Sequence, residues 1–508
     1  GATSGIGLAL AHELHTAGHK LILLGRKPLH SLSDPLFTPE NYCQTDLSHP
    51  DAAQHVRTWL DSHAIQHLDL LIHNAGLGYY GSPATQSAHH IQDLIQVNLN
   101  APIALTHALY PWLLRGERHI VFVSSVSSVL PTAEYATYTA SKAALDGFAR
   151  SLRLELGQNW TVQVLHPGAT ATPMHAKVGM PVEKTANFAP VEQVAAEMWA
   201  AIQSAHGRNI AIGTGNKILR GVGQTLPQPL EWVMGRTSKI DPPPRFAPTQ
   251  YPRHALITGF ADGIGRALAV RFAQAGYHLT GIDVDADRAA DTAVFIQSQN
   301  GHITYHLADL SQPADLAPLA AKLGQGRPFD VVIHNAGISA AGHFVDLPLV
   351  RQLKVIDVNL TAPLVLTAQL LADGALVRQG HIVLLSSLSY YVGYPGAAVY
   401  AASKDGLALY GRALAAALAP DIHLHTVFPG PTRTAHARRY SPDNSREERR
   451  MPPEDVAQAV FTAVQKNQRL VLPGPAAKLF ATLGKLAPTV MEQAMKKTLL
   501  DKMPRGEP

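Results

Sequence analysis

Apolar runs of four to seven residues alternate along the chain with longer amphipathic stretches. In the second half HALIT, HLTGID, HITYH, DVVIH, HIVLLS, IHLHTVF and RLVL read as strands. Strands separated by helix-length amphipathic segments predict a parallel sheet with crossover helices. The first half repeats the pattern from KLILL through LDLLIH, HIVFVS, TVQVLH and NIAI, but it starts at Gly1 without an opening strand. That strand is central in such a sheet. The chain is therefore expected to be truncated at its start, with any targeting segment lost, and to fold poorly from this beginning. Between the halves lies DPPPRFAPTQYPR, Asp241 to Arg253, whose prolines predict an extended spacer without packed structure. The expected units are 1–240, a linker at 241–252, and 253–508 with an amphipathic tail.

The two halves are copies of one another. GATSGIGLALA at Gly1 returns as GFADGIGRALA at Gly259, HNAG at His73 returns at His334, and VNLNAP at Val97 returns as VNLTAP at Val358. HPGATATP at His166 returns as FPGPTRTA at Phe428. The offsets run only from 258 to 262, the mark of a duplicated domain of about 250 residues.

The segment with the densest chemistry also occurs twice, as IVFVSSVSSVLPTAEYATYTASK (Ile120 to Lys142) and IVLLSSLSYYVGYPGAAVYAASK (Ile382 to Lys404). Ser125 and Ser387 each lie thirteen positions before Tyr138 and Tyr400, and Lys142 and Lys404 lie four after them. Tyr and Lys at i and i+4 share one helix face. An ammonium close to a phenol is expected to lower the tyrosine pKa, giving a proton donor usable near neutral pH, with a serine hydroxyl to hold a substrate oxygen. Packing alone is the competing reading, and identical spacing in both copies weighs against it.

Gly1, Gly5 and Gly7 open the first helix, as Gly259, Gly263 and Gly265 do in the second copy. Such glycines let backbone N–H groups approach a pyrophosphate at a helix N-terminus. TGFADGIG (Thr258 to Gly265), the NAG tripeptides, the Ser…Tyr-x-x-x-Lys sets and the PG-x-x-x-T stretches together resemble the short-chain dehydrogenase/reductase (SDR) family, in tandem and over almost the whole chain. The resemblance implies two doubly wound parallel-sheet Rossmann domains of the α/β class, the first lacking its initial strand. It implies two catalytic tetrads: Asn98, Ser125, Tyr138 and Lys142, and Asn359, Ser387, Tyr400 and Lys404. In that family the tyrosine exchanges a proton with the substrate oxygen while nicotinamide C4 exchanges a hydride with its carbon. The lysine holds the nicotinamide ribose, the serine orients the oxygen, and the asparagine anchors a proton-relaying water. Cofactor contacts carried over by motif are Gly1, Gly5, Ile6, Gly7, Asp46, Asn74, Gly76, Tyr138, Lys142, Pro167, Gly168 and Thr172 in the first copy. In the second they are Gly259, Gly263, Ile264, Gly265, Asp309, Asn335, Gly337, Tyr400, Lys404, Pro429, Gly430 and Thr434. Asp46 and Asp309 match the family's adenine-binding acid, and Thr172 and Thr434 its contact to the nicotinamide amide. HNAG in place of the commoner NNAG is a minor departure.

One difference between the copies has a direct electrostatic reading. Aligned from Gly18 and Gly276, Gly25 stands opposite Asp283, and Arg26 opposite Val284. A carboxylate there accepts from adenosine ribose hydroxyls and repels a 2′-phosphate, whereas an arginine without an acid beside it attracts one. NADP is expected in the first domain through Arg26 and NAD in the second through Asp283. The competing reading makes Arg26 an exposed charge and the first half unselective.

The segments after Pro167-Gly168 and Pro429-Gly430 are expected to form lids. The second, RTAHARRYSPDNSREERR, carries six arginines and two glutamates, fitting either an anionic substrate or, preferred, a solvated mobile loop. Tyr390, Tyr391 and Tyr394 either line a pocket or pack. The tails NKILRGVGQTLPQPLEWVMGR and PAAKLFATLGKLAPTVMEQAMKK are amphipathic; packing is the favoured reading, with peripheral membrane contact of the C-terminal tail as the alternative.

Composition changes this picture little. A net charge of +4 over 508 residues argues for no nucleic-acid partner. The single cysteine, Cys43, forbids an intrachain disulfide and fits a reducing, cytoplasmic setting. No metal site is expected among the 26 histidines, since HExxH and Cys/His clusters are missing, and no apolar run of membrane-spanning length is seen. The sequence therefore reads as an oxidoreductase acting on the CH-OH group of a small-molecule alcohol/carbonyl pair with NAD or NADP as acceptor. Its halves are expected to pair within the chain or to form a homo-oligomer. Two alternatives stay open: a coupled, epimerising bifunctional enzyme, and an NAD(P)-binding sensor or scaffold without turnover.

Overall fold

The computed structural model describes residues 1–204, 208–225, 229–230, 234, 240, 244–249 and 251–503. The second half holds a seven-stranded parallel sheet: β7 (His254–Thr258), β8 (His278–Asp283), β9 (His302–Leu307), β10 (Phe329–His334), β11 (Leu376–Leu385), β12 (Ile422–Val427) and β13 (Leu470–Val471). Their spatial order is β13-β12-β11-β10-β7-β8-β9, doubly wound with its switch between β7 and β10. In the first half the sheet is in two pieces. One pairs β1 (Leu23–Gly25) with β2 (Tyr42–Gln44). The other runs β3 (Leu70–His73), β4 (His119–Val123), β5 (Thr161–His166) and β6 (Asn209–Ala211). The pieces flank the place that β7 fills in the second half, and the Gly1 amine and the Ala2 N–H both donate to the Leu24 carbonyl (2.9 and 3.0 Å). β2 was not among the strands read from the sequence; three residues, YCQ, carry too little periodicity to register.

The halves meet along two long helices, Ala136–Leu156 bearing Tyr138 and Ala398–Leu418 bearing Tyr400. Glycines let them approach closely. A Cβ on Gly406 would lie 2.9 Å from the Ala140 carbonyl, and one on Gly147 would meet the Asp405 carboxylate. One apolar core runs through this contact, with Ala140, Ala144, Phe148 and Leu152 of one half against Leu360, Leu407, Tyr410 and Leu414 of the other.

Each half kinks one helix through a single wide turn, Gln96–Asn100 and Asp357–Thr361. Pro102 and Pro363 follow, and a proline has no N–H for the carbonyl four residues earlier, which lets the turn widen. Those carbonyls belong to Asn98 and Asn359. The segment Leu349–Ala372 built around the second kink is long and apolar enough on average to cross a membrane, although Arg351, Lys354 and Asp357 interrupt it; 83% of its most apolar 18-residue window is buried, as in a core helix.

The linker differs from expectation where it is described. Ala247 pairs with β11, donating to the Leu376 carbonyl and accepting from Arg378 N–H (both 2.9 Å), and Phe246 packs on the shared core. Asp241 to Pro243 and Gln250 lie outside the described residues, as does most of the first tail beyond Thr225. The C-terminal tail forms helices Gly474–Leu486 and Pro488–Thr498. It buries Ala477 and Ala481 on Tyr391 and Phe428, leaving Leu479, Leu483 and Leu486 exposed.

Candidate active site

In both halves the glycine motif, the NAG loop and the tyrosine helix converge at the C-terminal ends of the strands. A Cβ on Gly7 would run into the Gly1 carbonyl and the Asn74 side chain, and one on Gly265 into the Gly259 carbonyl. These glycines therefore set the closeness of helix and turn, while Gly5 and Gly263 take positive φ (56° and 54°) to start the helices. Asn74 Nδ2 donates to the Gly1 carbonyl (3.2 Å), and Asn335 Nδ2 to the Thr258 and Gly259 carbonyls (3.1 and 3.0 Å). Thr172 and Thr434 stand over Gly5 and Gly263, their methyls 3.3 and 3.0 Å from where a Cβ would be.

Asn98 and Asn359, fully buried on the kinks, each clamp the loop after NAG. Asn98 accepts from Leu77 N–H (2.7 Å) and donates to the Leu77 carbonyl (2.9 Å) and Ser141 Oγ (2.9 Å). Asn359 repeats the set on Ile338 and Ser403 at 2.8, 2.9 and 3.0 Å. Ser141 and Ser403 pass the contact on to the Tyr138 and Tyr400 carbonyls, both 2.7 Å. Gly76 and Gly337 sit where a Cβ would press on the lysine and asparagine together, at 3.2 Å from Lys404 Nζ and 3.4 Å from Asn359 Oδ1 in the second half.

The Lys142 and Lys404 ammonium groups lie 5.8 and 5.7 Å from the centres of the Tyr138 and Tyr400 rings. Each donates to the carbonyl ending its central strand, Val123 or Leu385, at 2.9 Å. The expected lowering of the tyrosine pKa is corrected here. Burial pushes both phenols up to about 12, against hydrogen bonding by Ser125 and Ser387. Burial also brings both lysines down to about 8. Desolvation of the phenolate outweighs any help from the nearby amine. Before a dinucleotide binds, the phenols are protonated donors.

Around the tetrads the halves diverge. In the second, Asp283 accepts from Ala261, Val284 and Asp285 N–H groups (2.9, 2.8 and 3.1 Å) at the end of β8, with Asp262 and Asp285 on the same crevice wall. That crevice, about 460 Å³, runs from Asp283 and Asp309 past Gly263 and Asn335 to Tyr400, Lys404 and His436. Asp46 and Asp309 each cap a turn through Ser48 and Ser311, and Asp309 also pairs with Lys354 at 3.2 Å. Arg26 is exposed at the end of β1; burial raises the Asp46 carboxyl, and the Ser48 hydrogen bonds, followed by Arg26, bring it below its ordinary value.

The segment after Pro429-Gly430 is hydrogen-bonded to itself. Arg438 pairs with Glu447 (2.7 Å), and Arg450 donates to Ser441 Oγ, the Asp443 carbonyl and Asn444 Oδ1 (3.0, 3.0 and 2.7 Å). Two of its six arginines thus tie the lid to itself, and Arg439 faces the crevice. Tyr394 stands 6.0 Å from the Tyr400 ring, whereas Tyr390 and Tyr391 pack on Phe428.

Several supporting residues carry no signal in the sequence. His73 and His334 of the HNAG motifs are buried core groups bonded to Thr106 and Thr367 at 2.9 Å, pushed by burial down to about 3 and about 4, hence neutral. Beneath Ser125 lies a buried ionic set. Arg220 reaches Asp146 (3.4 Å), Ser128 (3.0 Å) and His166 (3.1 Å), and Ser128 donates to Asp146 (2.7 Å). In the second half Phe428 replaces His166 and the support is aromatic. Across the domain contact, Arg150 donates to Asp405 (2.7 Å) and to the Ser389 and Tyr390 carbonyls (2.9 and 3.2 Å), gripping the loop after Ser387.

Fold and site together define a doubly wound α/β protein with a Ser/Tyr/Lys set present twice, the second at the end of a long crevice. The short chain dehydrogenase family model matches residues 1–182 and 253–445. The chain belongs to that family of oxidoreductases. Similar curated proteins include Dehydrogenase/reductase SDR family member 7B of Bos taurus, 32% identical over 40% of this chain and 68% of its own length. Another is the Probable oxidoreductase EphD of Mycobacterium bovis, 29% identical over 46% of this chain and 43% of its own length. Among solved structures, a short-chain dehydrogenase from Sphingobium yanoikuyae in complex with NADPH aligns with 50% of this chain and 98% of its own, at 25% identity and a TM-score of 0.41.

Proposed function

We propose that this protein is an NAD(P)-dependent oxidoreductase that interconverts an alcohol and a carbonyl at two sites, one in each of the units 1–240 and 253–508. The observation carrying this reading is the repeated arrangement at Tyr138 and Tyr400: a buried, protonated phenol, a serine hydroxyl bonded to it, and a lysine 5.7 to 5.8 Å from the ring. A dinucleotide fits the second crevice by its glycine cradle, its threonine over Gly263 and its length from Asp283 to Lys404. When bound there, the nicotinamide supplies the hydride. Ser387 holds the substrate oxygen, Tyr400 gives it a proton in the reducing direction or takes one in the oxidising direction, and Lys404 stabilises the phenolate left behind. Asn359 fixes the loop after NAG through Ile338 and would keep it in place beside a bound cofactor. Ser125, Tyr138, Lys142 and Asn98 do the same in the first half.

The assignment of NADP to the first site rests on exposed Arg26, and that of NAD to the second on Asp283 with Asp262 beside it. The test is turnover of an alcohol panel by Tyr138→Phe, Tyr400→Phe and the double variant. Each single change should remove the activity of one site, with loss of about 10²-fold or more in kcat. Full turnover in the double variant would overturn the assignment.

A further inference from the structure

The strands β7, β8 and β9 begin side by side on His254, His278 and His302, register partners across the two strand pairs. These strand ends lie at the opposite edge of the sheet from the crevice. They border a cavity of about 520 Å³, also lined by His306, Lys322 and Arg327. Among the described residues that line it, every titratable side chain is basic. The rings of His278 and His302 are 4.5 Å apart. Burial, then His302 and Arg327, lower the pKa of His278, and burial, then Lys322, lowers that of His306. Arg327 Nη2 is buried with no hydrogen-bond partner. The nearby carboxylate, Asp330, offsets Arg327 only in part: burial raises its pKa, its Oδ2 is taken by the His254 N–H at 2.8 Å, and its attraction is shared between Arg253 and Arg327. His254 is itself fixed by Thr280 Oγ1 (2.9 Å) and the Arg327 carbonyl (3.1 Å).

Two cations, Lys322 and Arg327, border the cavity beside histidine edges that can donate hydrogen bonds, and a buried guanidinium nitrogen left unsatisfied is costly unless something negative completes the site. Guanidinium favours phosphoryl oxygens, to which it donates in pairs. The volume is that of a small-organic-ligand pocket and exceeds what a bare ion needs, and Leu279, Leu323 and Phe329 supply an apolar wall. Aligning Asp330 with Asp69 places Gln66 opposite Arg327, so this chemistry is not duplicated in the first half.

We propose that the cavity binds an organic phosphate, with its phosphoryl group on Arg327, Lys322 and the histidine edge and its organic part against the apolar wall. The site lies outside both crevices and is independent of the reading of their chemistry. The experiment uses the full chain saturated with NAD and NADP, so that cofactor phosphate contacts are already filled. Inorganic phosphate, AMP and glucose 6-phosphate are titrated by calorimetry. Saturable binding is expected, with at least one organic phosphate about tenfold or more tighter than inorganic phosphate. Either ordering of AMP and glucose 6-phosphate supports the proposal and identifies the organic part. Arg327→Gln and Lys322→Gln should each weaken binding about tenfold or more, and Arg57→Gln, at an exposed position of the first half, should leave it unchanged. Lys322 is exposed, so its variant reports even if Arg327→Gln disturbs folding. No saturable binding by any of the three, or unaltered affinity in both variants, overturns it.

Discussion

Glu155 sets a pH limit on the contact between the two halves. It lies near the C-terminal end of the Tyr138 helix, and its carboxyl accepts from Phe344 and Gly396 N–H groups of the second half at 2.9 and 2.8 Å. Its partners are backbone N–H groups rather than a cation, and Asp346 adds repulsion. Burial, the largest influence, raises its pKa from 4.5 to about 7 against the pull of the N–H donors. Below pH 4.5 the carboxyl is protonated both folded and unfolded, and it makes no pH-dependent contribution. Between 4.5 and 7 the unfolded chain has lost a proton that the folded chain keeps, so stability falls as pH rises; above 7 the loss levels off. A rise of this size corresponds to about 3 kcal/mol, and the residue is only half-buried, so solvent screening reduces it to about 2 kcal/mol. Glu155→Gln removes the charge while giving up one acceptor, a cost of about 1 kcal/mol. The variant should therefore be less stable than the parent at pH 5, draw level as the pH rises, and be the more stable of the two at pH 8. Urea unfolding at half-unit pH steps, followed by tryptophan fluorescence, measures the difference. Parallel profiles for the two proteins from pH 5 to 8 would refute the buried, uncompensated carboxyl.

Two further outcomes test the sites. Exchanging the charges at the ends of β1 and β8, as Arg26→Asp in a Tyr400→Phe background and Asp283→Ser in a Tyr138→Phe background, should move the NADP/NAD ratio of kcat/KM toward NAD in the first and toward NADP in the second. About tenfold or more is expected, the worth of one charge-assisted contact to a phosphate. Asp146→Asn leaves Arg220 and its neighbours without their carboxylate, and should destabilise the first half by about 3 kcal/mol or more. In calorimetric scans a first-half transition should fall while the second-half activity is retained at 25 °C.

What the sequence made legible was whatever repeats at fixed spacing. The glycines, NAG, Ser…Tyr-x-x-x-Lys and PG-x-x-x-T recur because backbone approach and helix periodicity demand those residue types at those intervals, and in the second half Gly259, Gly263, Asn335, Gly337, Tyr400, Lys404, Pro429 and Thr434 line one crevice. The strands of the second half are legible for the same reason, being long enough for their apolar runs to stand out. Tyr42–Gln44 is too short to do so. The sign of the tyrosine pKa shift was misread because spacing reports the lysine's nearness and says nothing of how dry the site is. Asp146, Arg150, Glu155 and Arg220 were missed because their partners lie 18 to 255 residues away, beyond any local pattern.

Those unread residues also explain why duplicated tetrads need not behave alike. The loop after Ser387 hangs from Arg150, Ser151 and Glu155 of the first half through the Ser389 and Tyr390 carbonyls and the Tyr394 and Gly396 N–H groups. In the other direction, Arg412 reaches the Val129 carbonyl at 3.4 Å, the long end of a hydrogen bond. The loop after Ser125 relies instead on the Arg220 set within its own half. Loosening the contact between halves therefore bears first on Ser387 and Tyr400, while disturbing Asp146 bears first on Ser125 and Tyr138. The loop after the serine is held by a neighbour's hydrogen bonds in one site and by a buried ion pair in the other.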